Sequence, residues 1–233
     1  MKHGGSPLRC TLLVVLRPLE QRTQISMKKW MPYGRFRKTV GGMALVAIVV
    51  GSALGSMPAS SSQSSDFSQV AARAQAMEQS LESGDWLAVG AHRHALAEAV
   101  APFVGVDASA LEDAWAVADP RRQTVIYTAL SQLEKPYVTN GESPDVGFDC
   151  SGLTKYSWAK AGVALEHQSE AQVGEGVART FASAQPGDLL HYPGHIGLFL
   201  GAGRAMVHAV NHQTGLAIGI ATENMKNVIA PIS

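Results

Sequence analysis

The hydrophobic period of the chain changes once, close to residue 188, and this change constrains the fold most strongly. Before it, apolar residues recur every three or four positions, which is typical of helices. After it, short apolar runs are separated by turns that contain Gly, which is typical of strands. Helices followed by antiparallel strands predict an α+β domain.

The pattern also predicts the individual elements. Asp119-Pro120 opens a helix, because Asp suits the N-cap and Pro suits the first helical position. That helix must end before Pro136, since a residue that precedes Pro is pushed out of helical geometry. Helices are predicted over about 67–81, 86–103, 109–117, 120–133 and 150–160, and strands over 188–192, 195–200, 205–210, 216–222 and 228–232.

Composition divides the chain into four parts. We predict an upstream extension over residues 1–26, a signal peptide or N-terminal anchor over 27–59, and a Ser-rich linker with a helical segment over 60–119. Residues 120–233 form the α+β domain. The helical segment shows apolar stripes without chemical motifs, so it is expected to pack as a cap on that domain or to form a stalk.

The N-terminal part has the order of a secretory signal. Basic residues from Lys28 to Lys38 are followed by an uncharged stretch, 41–54, and then by small residues. The apolar stretch is short for a membrane span of about 20 residues. A cleaved signal is therefore favoured, and a retained membrane anchor is the alternative. Either Met1 or Met27 can be the true start of the chain.

Charge is distributed unevenly although the chain is neutral overall. Residues 1–38 hold nine Lys and Arg and one Glu, a net charge of +8, and the remainder holds ten basic and eighteen acidic residues, a net charge of −8. An acidic body repels polyanions, so nucleic acid is not expected as a partner.

Cys150 is the one cysteine that follows the signal-like segment. A loop rich in Gly, Pro and Asp leads into a helix whose first turn holds it, with Asp149 as the expected N-cap. Free N–H groups at a helix N-terminus lower a thiol pKa and can bind an oxyanion. We expect a reactive thiol here. The alternative is an inert buried cysteine.

Two histidines lie on consecutive predicted strands. A loop at 201–204 would place Gly197 opposite His208, and His195 shares a face with Gly197 because side chains alternate. The two rings are then diagonal neighbours within reach of each other. One imidazole can take the proton of Cys150 and the second can orient the first, so His195 is predicted as base and acid and His208 as its orienter.

Other readings of the histidines are open. His167, His191 and His212 are the nearest competitors for the two roles. Two histidines on one sheet face can also bind a metal ion. No third ligand stands at a typical spacing from them, so zinc is disfavoured and no cofactor is expected.

These motifs resemble the NlpC/P60 family of papain-like cell-wall endopeptidases. The resemblance covers about residues 120–233, and it implies that Cys150, His195 and His208 are nucleophile, base and third catalytic residue. It further implies hydrolysis of the D-γ-glutamyl–diamino-acid bond in peptidoglycan stem peptides. Matching segments are Asp149-Cys-Ser-Gly-Leu153, Gly187-Asp-Leu189, His195-Ile-Gly-Leu-Phe-Leu-Gly201 and Met206-Val-His-Ala209.

The resemblance also suggests residues around the substrate. Tyr137, Asp149, Ser151 and Ser169 are candidates for oxyanion or substrate binding, although Asp149 is better explained as a cap alone. Tyr137 is equally well explained as a packed aromatic residue. Ser169 belongs with Gln172 to a Ser-x-x-Gln element that lines the cleft or caps a helix.

The chain departs from the family pattern at three places. Thr139-Asn-Gly141 replaces Trp-Gly-Gly, the stretch 166–168 lacks the usual Arg, and His191 replaces an aromatic residue. These changes leave the cleaved bond open. A thiol amidase or acyltransferase, or a catalytically silent wall-binding module, are the alternative functions.

Overall fold

The structure is a computed structural model that describes residues 62–232. The upstream extension and signal predicted for residues 1–59 lie outside the described residues. Within the described part of the chain, no helix is both long and apolar enough to cross a membrane.

Three helices precede the α+β domain, as the apolar stripes predicted. Helix α1 packs on α2 through buried residues such as Val70 and Met77. It begins at Ser62, before the apolar stripe from which a helix over about 67–81 was predicted. Ser is well tolerated near a helix N-terminus, so the helix extends beyond its apolar stripe. The helices are α1 (Ser62–Ser83), α2 (Trp86–Val104) and α3 (Ala108–Val117).

The helical segment packs directly on the α+β domain. Thr128 donates a hydrogen bond to Glu78 of α1 at 2.7 Å. The indole N–H of Trp115, on α3, donates to the carbonyl of Leu200 at 2.6 Å, and both residues are fully buried. Leu200 follows the end of its strand that is opposite to His195. These contacts join the helical segment to α4 and to the residue that follows β5.

The helices of the α+β domain begin at the predicted residues. The Asp119 carboxylate accepts a hydrogen bond from the backbone N–H of Arg121 at 2.8 Å and caps α4. A small hairpin, which the sequence did not predict, stands between α4 and α5. The elements are α4 (Pro120–Ser131), β1 (Glu142–Ser143), β2 (Gly147–Phe148), α5 (Cys150–Lys160), α6 (Ser169–Val173) and a short 3-10 helix (Phe181–Ser183).

A six-stranded antiparallel sheet completes the domain, in the order β3-β8-β4-β5-β6-β7. The predicted α+β class is confirmed. Strand β3 was missed because it is an exposed edge strand without an apolar run. The strands are β3 (Val177–Arg179), β4 (Leu189–Tyr192), β5 (His195–Phe199), β6 (Ala205–Asn211), β7 (Gly215–Ile220) and β8 (Asn227–Ala230).

A buried ion pair joins α4 to the sheet. The guanidinium of Arg122 donates to the Asp188 carboxylate at 2.6 Å, just before β4, and both side chains are almost completely buried. The same guanidinium donates to the carbonyls of Pro186 and Ile232. Helix α5 packs on the sheet beside it, where the indole N–H of Trp158 donates to the Gly187 carbonyl.

Candidate active site

Cys150 is the first residue of α5, where the predicted N-cap is in place. One carboxylate oxygen of Asp149 accepts hydrogen bonds from the backbone N–H of Gly152 at 2.7 Å and the hydroxyl of Ser151 at 3.1 Å. The other accepts from the backbone N–H of Asn140 at 2.9 Å. The cap therefore joins the first turn of the helix to the loop before it.

The Cys150 thiol lies between the start of α5 and strand β5. The backbone N–H groups of Ile196, Ser151 and Cys150 itself interact with the sulfur and lower its pKa. Burial acts more strongly and raises the pKa, and the charge of Asp149 adds to that effect. The prediction of a lowered thiol pKa was therefore wrong. It considered the N–H groups of the helix N-terminus but not the burial of the sulfur, which has the larger effect on the pKa.

The two predicted histidines lie side by side, as predicted from the alternation of side chains and the register of the hairpin. Strands β5 and β6 pair Leu198 with Val207, and the same register puts Gly197 opposite His208. Nε2 of His195 is 2.8 Å from Nδ1 of His208, with ring centroids 5.1 Å apart. A Cβ at position 197 would lie 3.0 Å from Cβ of His208, so the glycine keeps this space open.

Burial determines the charge of both rings. It lowers the pKa of His195. It also lowers the pKa of His208 to about 4, with a further contribution from His195. Both imidazoles are therefore neutral near pH 7, and one ring can donate a hydrogen bond to the other. A neutral His195 has a free lone pair with which to accept a proton.

Tyr137 stands close to the thiol. Burial raises the pKa of its hydroxyl, and the charges of Cys150 and Asp149 raise it further. Its ring meets the ring of His212 edge to face at 4.9 Å. A groove of about 590 Å³ runs beside Tyr137 and His212, and one of its walls is Phe67 of α1.

The Ser151 and Ser169 side chains are both buried. The Ser151 hydroxyl donates to Asp149, so the structure uses it inside the cap. Ser169 does not cap α6, because the Gln168 side chain accepts from the N–H of Ala171 at 2.7 Å.

Gln172 is fully buried and joins α6 to α5. Its side-chain amide donates to the carbonyl of Ser151, and its carbonyl accepts from the hydroxyl of Thr154 at 2.7 Å. Gln172 therefore supports the helix that carries the thiol and does not line the cleft.

The competing histidines do not join the pair of rings. His167 contacts Asp149 and Glu142, and His191 contacts Glu170 and Asn227. The contact of His167 with the N-cap was not predicted, because no short-range spacing in the sequence links the two residues. Among residues 62–232, no group of three His, Cys, Asp or Glu side chains is placed to hold a metal ion.

A thiol at a helix N-terminus interacts with the backbone of the strand that carries one of two paired, neutral imidazoles. A thiol and a paired imidazole are the groups that thiol-dependent hydrolysis requires. The family comparison agrees with this class. Residues 134–228 match the model of the NlpC/P60 family. This part of the chain is therefore similar to NlpC/P60 family domains.

Relatives of the chain share this domain. A probable endopeptidase of Mycobacterium tuberculosis is 40% identical over 91 residues, which are 38% of this chain and 23% of that protein. The bifunctional muramidase/DL-endopeptidase CwlT of Bacillus subtilis is 37% identical over 90 residues, 35% of this chain and 27% of that protein. The chain thus spans about a quarter of the length of these relatives.

Solved structures also match part of the chain. The P60 domain of an antigen from M. avium subspecies paratuberculosis has 27% sequence identity and a TM-score of 0.45, and the match covers 48% of this chain and 96% of that domain.

Proposed function

We propose that the α+β domain is a cysteine peptidase that hydrolyses peptidoglycan stem peptides, with Cys150 as its nucleophile. The observation that carries this proposal is the contact of 2.8 Å between His195 and His208, next to the Ile196 N–H that interacts with the Cys150 sulfur. Relatives named endopeptidases, one of them a DL-endopeptidase, support the same reaction class.

The reaction starts from a neutral thiol and a neutral imidazole. Burial raises the pKa of Cys150 and lowers that of His195, so proton transfer accompanies substrate attack instead of preceding it. The Cys150 sulfur attacks the carbonyl carbon as its proton passes to His195, and the resulting oxyanion takes hydrogen bonds from the N–H groups at the start of α5. His195 returns the proton to the leaving amine, which leaves a thioester on Cys150.

Hydrolysis of the thioester completes the cycle. His195 removes a proton from water, the hydroxide attacks the thioester carbonyl, and the proton passes to the thiolate. The acyl part leaves as a free carboxylic acid. His195 thus acts as base and acid in both halves of the reaction.

His208 acts on His195 as an acceptor. When Nε2 of His195 carries its proton, it donates to Nδ1 of His208, and Nδ1 of His195 is left to receive the thiol proton. The low pKa of His208, about 4, keeps that acceptor unprotonated at working pH. A Cβ on Gly219 would lie 3.2 Å from Nε2 of His208, so that glycine leaves room for the ring.

The bond that we propose is the one between D-γ-glutamate and the diamino acid. The motif resemblance and the relative named a DL-endopeptidase both support it. The groove beside Tyr137 and His212 provides the adjoining space for the peptide. We further propose export of the domain, since its substrate lies outside the cytoplasmic membrane and residues 27–59 have the order of a signal.

A digest of a defined disaccharide-tetrapeptide tests the function. The wild-type chain is expected to release a fragment that begins at the diamino acid, identified by mass, and Cys150→Ser is expected to release none. Release of the whole peptide from the sugar would instead show an amidase. Absence of any product with both chains, on several muropeptides, would favour a silent wall-binding module.

A further inference from the structure

The ring of His167 lies between two carboxylates that precede Cys150 in the chain, Glu142 of β1 and the N-cap Asp149. Its Nε2 is 3.0 Å from Asp149 Oδ1, and its Nδ1 is 3.0 Å from Glu142 Oε2. The His167 side chain is only 20% exposed. These distances place a negative oxygen against each ring nitrogen.

Such a position suits the protonated ring. An ionised carboxylate offers acceptors only, and a neutral imidazole carries a single N–H. A neutral His167 would turn a lone pair toward one of the two carboxylates, which is repulsive. The doubly protonated ring donates a hydrogen bond to Asp149 and places its positive charge 3.0 Å from the Glu142 oxygen.

Other charges around the contact are balanced when His167 is protonated. The ammonium of Lys155 lies 2.6 Å from the same oxygen of Glu142. Glu142, Asp149, Lys155 and protonated His167 then carry two negative and two positive charges. Loss of the His167 proton leaves two carboxylates facing one cation.

The contact bears directly on the turn that holds the thiol. Asp149 binds the backbone N–H of Gly152 and of Asn140, and thereby fixes the loop against the first turn of α5. A Cβ on Gly152 would lie 3.0 Å from Nε2 of His167, so the ring packs against that turn itself. A change at His167 therefore reaches Cys150 through its N-cap.

We propose that His167 is a positioning residue whose protonated ring holds Glu142 and Asp149 together and so makes the reactivity of Cys150 depend on pH. The effect of His167 on catalysis rests on the proposed function. Its effect on the position and reactivity of the Cys150 thiol does not. Deprotonation of His167 releases one carboxylate, the N-cap loosens, and the thiol loses its alignment with His195.

Alkylation of Cys150 by iodoacetamide tests the proposal without a peptidase assay. It uses the chain with Cys10→Ser, so that Cys150 is the sole thiol. His167→Gln is expected to slow alkylation and cleavage about 10- to 100-fold, as a shift of a reactive group by about 1 Å does. His167→Arg, which is always charged, is expected to restore both rates. The rates of the wild-type chain relative to those of His167→Arg are expected to fall as pH rises through the range in which histidine titrates.

His94→Gln is the matched control. His94 also pairs with a carboxylate, Glu112, at 2.8 Å, but on the helical segment. It should leave both rates unchanged. Wild-type behaviour of His167→Gln at every pH, or failure of Arg to restore the rates in a variant with unchanged melting temperature, would overturn the proposal.

A second measurement covers the case in which His167→Gln does not fold. Titration of the wild-type His167 ring by NMR should show the ring losing its proton over the pH range in which alkylation of the wild-type chain falls below that of His167→Arg. A ring that is neutral throughout that range would overturn the proposal. If the wild-type chain cleaves no muropeptide, the proposed function fails, while alkylation and NMR still decide the role of His167.

Discussion

The two halves of the candidate site are held in place by different forces. The imidazole half, His195 and His208, stands on adjacent strands whose register is fixed by backbone hydrogen bonds. The thiol half, Cys150, stands at a helix start that is fixed by the side chains of Asp149 and His167. One half depends on the sheet and the other on a small cluster of charges.

This difference implies different responses to change. A sheet register is specified by many cooperating contacts, so a substitution on the imidazole half removes chemistry while the geometry remains. The thiol half relies on few polar contacts, each sensitive to charge and to space. It should therefore respond to pH and to small steric changes in the turn.

The largest effect is expected when the base is removed. His195→Ala should lower kcat by about 10²- to 10⁴-fold, the contribution typical of a general acid–base group, with little change in the free energy of unfolding. Steady-state kinetics on a muropeptide measure the change in kcat, and thermal unfolding measures the change in stability.

His208→Ala should lower kcat by a smaller factor than His195→Ala, since His208 acts through His195. A larger loss with His208→Ala would reverse the assignment.

The buried ion pair between Arg122 and Asp188 tests how strongly the sheet that carries the imidazole half is stabilised. Asp188→Ala leaves the Arg122 guanidinium charged and without its carboxylate in the core, which should cost about 3–5 kcal/mol of unfolding free energy. Urea unfolding measures this cost. Glu223→Ala is the control, because it removes a contact with Arg204 at 3.4 Å from a carboxylate that is 92% exposed. Equal effects of the two substitutions would show that burial of the pair does not matter.

A steric change tests the thiol half. A Cβ at Gly152 would collide with the carbonyl of Gly141 and meet the His167 ring at 3.0 Å. Gly152→Ala should therefore cost about 1–3 kcal/mol and slow the alkylation of Cys150. Gly90→Ala is the control, because a Cβ there meets no atom within 4 Å and Ala favours a helix. Unchanged alkylation in Gly152→Ala would mean that the turn is looser than its contacts indicate.

The smallest expected effect is a shift in the pH profile. His195 must be neutral to accept a proton, and burial places its pKa below the ordinary 6.5. The acid limb of kcat/KM should therefore lie below pH 6.5, with more than half of the maximal value retained at that pH. A profile that falls already above pH 6.5 on the acid side would contradict the neutral imidazole pair.

The imidazole half was the more predictable part of the site. Alternation of side chains and one hairpin register were enough to put His195 beside His208, because both are local properties of paired strands. The N-cap at Asp149 was predictable for the same reason. Each depends on residues that are close in sequence or joined by a single turn.

The environment of the thiol was less predictable. His167 reaches Asp149 across the length of α5, and the packing of Ile196 on the sulfur exists only once helix and sheet are assembled. Burial, which raises the pKa of Cys150, is likewise a property of the assembled core. Strand β3 was missed because an exposed edge strand has no apolar pattern to reveal it.

Parallel loss of the thiol and of cleavage would identify Cys150 as the nucleophile. In the Cys10→Ser chain, iodoacetamide is added and samples are taken over time for intact mass and for muropeptide cleavage. The account predicts one acetamide on Cys150 for each inactive molecule, with the same rate constant for modification and for loss of activity. Cleavage that persists after complete modification of Cys150 would contradict it.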